Sequence, residues 1–119
     1  MVRAIRGATT VKANEKQEIL DATRELLREM VEQNGILKEE IISIFFSMTT
    51  DLNAVFPAVA AREMGWDRIA MMCTHEIDVQ GSLRGCIRAL MHVNTNKEND
   101  ELKYIYLKEA KVLRPDLSE

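Results

Sequence analysis

Arg6, Arg62, Arg88, Arg114, Glu76 and Tyr106 are the residues of this chain with chemistry to offer. Guanidinium groups are donors for anions, and a carboxylate beside one can hold it in place. Taken singly, each arginine reads as a solvated surface charge. Arg88 differs, because Ile87 and Ala89 flank it in a strand long enough to be central, where a lone guanidinium needs a partner. Glu76 follows a buried-looking strand and can neutralise it; a purely structural ion pair accounts for that couple as well as a functional one does. Tyr106 reads first as packing.

The commoner catalytic devices are missing. There is no phosphate-binding glycine loop, no HExxH, no paired CxxC and no serine elbow. Cys73, His75, Cys86 and His92 match no common zinc spacing. Neither His75 nor His92 has an identifiable partner for general acid–base work, and neither receives a role. Met48, Met64, Met71, Met72 and Met91 read as core filling. With 16 basic and 19 acidic side chains the formal charge is −3, so no global positive field points to nucleic acid and any anion site must be local. The opening Met1-Val2-Arg3-Ala4-Ile5-Arg6 is too charged for a signal segment, and no apolar stretch approaches the roughly 20 residues that span a bilayer. The expectation is a cytoplasmic protein, without membrane partners, whose two cysteines stay reduced.

The elements that must position these residues fit one domain of 119 residues, 46% hydrophobic and 29% charged. No repeat, low-complexity tract or linker divides it. Val2 to Val11 reads as a first strand, with Arg6 on it. Ile19, Ala22, Thr23, Leu26, Leu27 and Met30 recur at helical spacing, with Asn14 as N-cap, Gln17 at N3 and Gly35 beyond the end. Ile41 to Thr49 is nearly continuously apolar, as in a central strand covered on both faces. Pro57 to Met64 fits a short helix stopped by Gly65, and Ile69 to Cys73 a buried strand.

From Leu83 to Asn94 the chain alternates: Leu83, Gly85, Ile87, Ala89, Met91 and Val93 on one face, Arg84, Cys86, Arg88, Leu90, His92 and Asn94 on the other. One face packs; the other meets something polar. After a polar connector, Asn96 to Glu101, a last strand spans Tyr104 to Val112. The class is α+β, a mixed sheet of about five strands with two main helices, too few to cover both faces, so subunits are expected to associate.

The run Ile5-Arg6-Gly7-Ala8-Thr9-Thr10-Val11 resembles the opening of the AroH-type chorismate mutases. Further matching stretches are Asp51-Leu52-Asn53-Ala54-Val55-Phe56-Pro57-Ala58, Ala61-Arg62-Glu63, Gly65-Trp66, Cys86-Ile87-Arg88, Tyr106-Leu107, and Val112-Leu113-Arg114-Pro115-Asp116-Leu117-Ser118. The likeness covers essentially the whole chain. It implies a homotrimeric pseudo-α/β-barrel with active sites between adjacent subunits. One subunit would contribute Arg6, Cys73, Glu76, Arg88 and Tyr106, and its neighbour Phe56, Arg62, Leu113 and Arg114. It also implies chorismate as substrate, prephenate as product and no cofactor, since a unimolecular pericyclic rearrangement needs no nucleophile, proton relay or metal.

In that resemblance Arg6 and Tyr106 hold the enolpyruvyl carboxylate and restrict the substrate to its compact conformer. Arg88 points at the ether oxygen, where negative charge develops. Glu76 accepts from the ring hydroxyl beside Cys73, Phe56 forms an apolar wall, and Arg62 and Arg114 assist at the mouth. Val59 stands where the family often has lysine, and Met72 where threonine is frequent. The loop before Gly65-Trp66 is one residue shorter, and little tail follows Ser118. These departures bear on affinity and closure rather than on the reaction. Two other readings exist: a non-catalytic trimeric module that binds small metabolites on a similar fold, and a deaminase-like enzyme, which would need a base and a positioned water. A mutase requires Arg6, Glu76, Arg88 and Tyr106 to converge on one cleft.

Overall fold

The computed structural model describes residues 1–113. Five strands form one sheet: β1 (Val2–Thr10), β2 (Ile41–Met48), β3 (Ala70–His75), β4 (Cys86–Asn94) and β5 (Ile105–Tyr106), in the order β3-β2-β4-β1-β5. β4 lies antiparallel to both β1 and β2, while β3 and β5 run parallel to their neighbours. Two helices, α1 (Lys16–Asn34) and α2 (Ala58–Glu63), complete the set. The α+β class, the mixed sheet and the single domain agree with the sequence. No helix among the described residues is long and apolar enough to cross a membrane.

The helices pack on one face of the sheet. Ile19, Ala22, Thr23, Leu26, Leu27 and Met30, the stripe read from helical spacing, are all buried. Leu26, Leu27 and Met30 meet Ile5, Ile44, Phe46, Met91 and Val93, where Ala58, Ala61 and Trp66 join from α2 and the turn after it, while Ile19 and Ala22 pack with Val11, Met48, Leu52 and Ile87. A methyl added to Gly7 would sit 2.5 Å from the Met30 sulfur, so the missing side chain lets α1 lie close on β1. Gly35 ends α1 in the left-handed conformation (φ 61°), as its position suggested.

The start of α1 departs from expectation. Glu15 occupies the N-cap position, with no side-chain cap. Asn14 bonds across the fold instead: its Oδ1 accepts from the backbone N–H of Asn53 and Ala54, each at 3.0 Å, and its Nδ2 donates to Asn53 Oδ1 at 2.8 Å. An amide with both donors and an acceptor serves three loop groups better than one helix N–H, and so ties α1 to the segment carrying Phe56.

Three strand expectations change. The last strand is β5 alone: after Leu107 N–H reaches Ala8 O at 2.9 Å, Lys108 adopts φ 54° and the chain turns into a 3-10 helix, Lys108–Val112. Its Ala110 packs on Ala8 and Tyr106. β3 is an edge strand rather than a buried one, with Met72 56% exposed. β2 is interior but not covered on both faces, because Phe45 is 45% exposed on the face without helices. The apolar run that suggested double cover is real; its second cover is not supplied by the described residues.

The entry to β4 is pinned on both sides. Val11 N–H donates to Gly85 O at 2.8 Å, Gly85 N–H to Asp51 Oδ2 at 2.9 Å, and Cys86 N–H to Thr49 Oγ1 at 3.0 Å. Gly85 has φ 61°, and a Cβ there would lie 2.5 Å from the Val11 carbonyl oxygen, a backbone atom that cannot swing away. Gly85→Ala is therefore expected to cost about 1–2 kcal/mol for the left-handed backbone plus about 1–3 kcal/mol for the clash. A thermal melt should show a Tm lower by roughly 8–20 °C; an unchanged Tm would mean that the turn relaxes freely.

Candidate active site

Strand pairing brings the candidate residues onto one line. Thr74 on β3 pairs with Ser47 on β2, Ser47 with Arg88 on β4, Arg88 with Ala8 on β1, and Ala8 with Tyr106 on β5. One rung thus crosses the whole sheet. Because side chains alternate, Ser47, Arg88, Ala8 and Tyr106 belong to the face without helices. Arg6 lies two residues along β1 and shares that face. Ala8 is small, so a gap opens between Arg88 and Tyr106. Arg6, Gly7, Ala8, Ser47, Arg88, Ala89, Leu90 and Tyr106 line a cleft there of about 190 Å³.

Glu76 arrives from just beyond β3, held by its N–H donating to Met48 O at 2.8 Å. Its Oε2 accepts from Arg88 Nε at 2.8 Å and from Ser47 Oγ at 3.3 Å. The pair suggested by sequence therefore exists, half-shielded from solvent. Glu76 takes the Arg88 Nε, so the terminal Nη donors are not spent on the carboxylate. Arg6 lies over the Tyr104 ring, 5.9 Å from its centroid, which orients a positive charge at the other end of the cleft. The Tyr106 hydroxyl is buried and has no hydrogen-bond partner among the described residues. A buried hydroxyl without a partner carries a desolvation cost, and an anion placed between it and Arg6 would relieve that cost.

Phe56, Arg62 and Cys73 lie elsewhere in the same chain. Phe56 is 66% exposed and, with Cys73, His75, Met48 and Asn53, lines a hollow of about 600 Å³. Arg62, on α2, is close enough to Cys73 for its charge to act on the thiol. Leu113 packs instead with Tyr106 and Ala8. Within one chain, then, Cys73 sides with Phe56 and Arg62, and Leu113 with Tyr106, an exchange relative to the grouping that the resemblance implies. The reason is alternation: Cys73 pairs with Phe46, on the helix-covered face. Arg114 lies outside the described residues.

Neither cysteine is set up as a nucleophile. Burial pushes the Cys73 thiol up against the opposing effects of the Ala58 backbone and Arg62, and burial raises Cys86 to about 11. His75 is engaged by Leu52 O at 2.8 Å and His92 by Ser43 Oγ at 3.3 Å. Among the described residues no three His, Cys, Asp or Glu side chains gather as a metal site would need. Ser47 escaped the sequence reading. Its signal was present, as one of the few polar side chains in a nearly apolar strand, and only its register with Arg88 gives it meaning.

The arrangement offers a dianion two cationic ends, a phenol and a carboxylate, with no acid–base relay among the described residues. Residues 2–117 match the sequence profile of the family described as chorismate mutase type I. The chain belongs to the chorismate mutase type I family. Two relatives called chorismate mutase AroH are similar over nearly full length. The one from Bacillus subtilis (strain 168) is 45% identical, spanning 99% of this chain and 94% of the relative. That from Thermus thermophilus is 47% identical, spanning 98% and 97%. A solved chorismate mutase from Clostridium thermocellum superposes with a TM-score of 0.91 at 56% identity, covering 92% of this chain and 98% of that one.

Proposed function

We propose that this chorismate mutase rearranges chorismate to prephenate in clefts shared between neighbouring subunits of a homotrimer. The observation that carries this reading is the convergence of Arg6, Arg88, Tyr106 and the Arg88-paired Glu76 on one cleft. At about 190 Å³ that cleft falls below the roughly 300–1,000 Å³ of ligand pockets. It opens on a sheet face where Phe45 and Met72 are exposed. A second subunit laid on that face would bury them, and the hollow beside Phe56 would extend the cleft across the interface.

Chorismate reacts by breaking one C–O bond as a C–C bond forms, with no proton transferred to the enzyme. Arg6 and the Tyr106 hydroxyl would grip one carboxylate and hold the compact conformer. Arg88 would meet the ether oxygen as negative charge gathers there, which favours the transition state over the ground state. The free oxygen of Glu76 would accept from the ring hydroxyl, with Phe56 and Cys73 closing the apolar side. Arg62 and Arg114 would assist the second carboxylate near the mouth. The proposal includes a cytoplasmic setting, checked by fractionating cells that express the chain.

The direct test is the loss of chorismate absorbance on adding purified protein without metal or cofactor, with prephenate identified as product. Light scattering should give three times the chain mass of 13.6 kDa. Chorismate bound but unconverted by a well-folded trimer would favour the non-catalytic binding module. Tyr106→Phe separates site from scaffold. Removing an unpartnered buried hydroxyl should leave Tm unchanged or raise it, while losing a hydrogen bond to a charged ligand should lower kcat/KM about 10- to 100-fold. A fall in both would assign Tyr106 to structure.

A further inference from the structure

We infer that Ser47 is a positioning residue that acts through Glu76, turning one carboxylate oxygen toward the substrate hydroxyl. This rests on the proposed role of Glu76 and adds to it the device that sets its orientation. Two donors, Arg88 Nε at 2.8 Å and Ser47 Oγ at 3.3 Å, converge on the same oxygen, Oε2. Oε1 has no hydrogen-bond partner among the described residues. A carboxylate on a two-carbon stem turns easily about its last torsion, and a single donor does not fix that rotation. Two donors from different strands do.

Their placement makes the arrangement stiff. Ser47 and Arg88 are direct cross-strand partners on β2 and β4, where paired side chains lie about 4.5–5.5 Å apart. The Glu76 backbone is itself tied to Met48, the residue after Ser47. Ser47 therefore grips both ends of the short path from β2 to the carboxylate: its strand holds the backbone, and its hydroxyl holds the side chain. Ser47 also lines the Arg6–Arg88–Tyr106 cleft, so its hydroxyl meets Glu76 at the cleft wall rather than in the apolar core. With Oε2 saturated, Oε1 is the acceptor left for a ligand hydroxyl, and Arg88 keeps its Nη donors for other work.

A double-mutant cycle on the full-length protein tests this. In the parent background Ser47→Ala should lower kcat/KM for chorismate about 3- to 10-fold, the worth of one ordinary hydrogen bond. In a Glu76→Ala background the same change should have no further effect, because the group it orients is gone. Ser47→Thr, which keeps the hydroxyl, should restore most of the activity, and melting temperature serves as the folding control. Equal losses in both backgrounds, or no loss in either, overturn the inference while leaving Glu76 its role. If Glu76→Ala alone leaves kcat/KM unchanged, the reading of Glu76 as the hydroxyl acceptor falls, and the inference falls with it. Failure of Ser47→Thr to rescue would also count against it.

Discussion

Arg88→Gln is expected to lower kcat about 100- to 1000-fold while moving KM far less, the cost typical of removing one charge-stabilising donor from a preorganised site. The reason is timing. The ether oxygen carries little charge in the bound substrate and much more as the bond stretches, so a guanidinium aimed at it acts mainly in the transition state. Glu76 does not cancel this effect, because it engages Nε and leaves the terminal donors. Glutamine is shorter, but its amide nitrogen reaches the level of the Arg88 Nε that donates to Glu76, which avoids the fully unpaired carboxylate that alanine would leave. Steady-state kinetics with a melt as control decide the matter. Near-parental turnover would remove Arg88 from the ether oxygen, and a collapse of Tm would assign it to the scaffold.

Arg6→Ala is expected to cost about 10- to 100-fold in kcat/KM, the worth of a charge-assisted hydrogen bond, with much of the loss in KM. A carboxylate is fully charged before and during the rearrangement, so its partner contributes nearly uniform binding, and part of kcat is lost only through looser conformers. Arg6→Lys should recover part of this and not all of it. An ammonium keeps the charge but neither matches a carboxylate with two parallel donors nor reproduces the delocalised guanidinium that lies over the Tyr104 ring. Full recovery by lysine would show that charge alone matters at this end of the cleft.

Much of this architecture is written in local pattern. The stripe from Ile19 to Met30 gives α1 its buried face, and alternation from Cys86 to Asn94 separates the packed face of β4 from the face carrying Arg88. Gly35 ends α1 because its φ of 61° is easy only for glycine. What local pattern cannot carry is partner choice. Asn14 suits a helix cap by type, yet its bonds go to Asn53 and Ala54, 39 and 40 residues away. The stretch from Tyr104 to Val112 has strand-like composition, but β1 offers β5 only two paired residues before Lys108 turns the chain aside. Cys73 and Glu76 are three residues apart and face different surroundings, which follows from β3 pairing with β2 and ending at His75. The Arg88–Glu76 pair was foreseeable from charge and burial. Ser47 was not, because a serine in an apolar strand acquires its neighbours only from the order β3-β2-β4.

The rung that runs from Thr74 through Ser47, Arg88 and Ala8 to Tyr106 also limits how sequences of this kind can diverge in length. A strand presents alternate residues to opposite faces, so one residue inserted within β1, β2 or β4 would send every later side chain of that strand to the wrong side. Connectors carry no such parity. A deletion between α2 and β3, such as the shortening before Gly65-Trp66 that the resemblance implies, would leave the rung intact. Insertions and deletions should therefore accumulate in the connectors and stay out of the strands, so that natural length variation traces the rung by avoiding it.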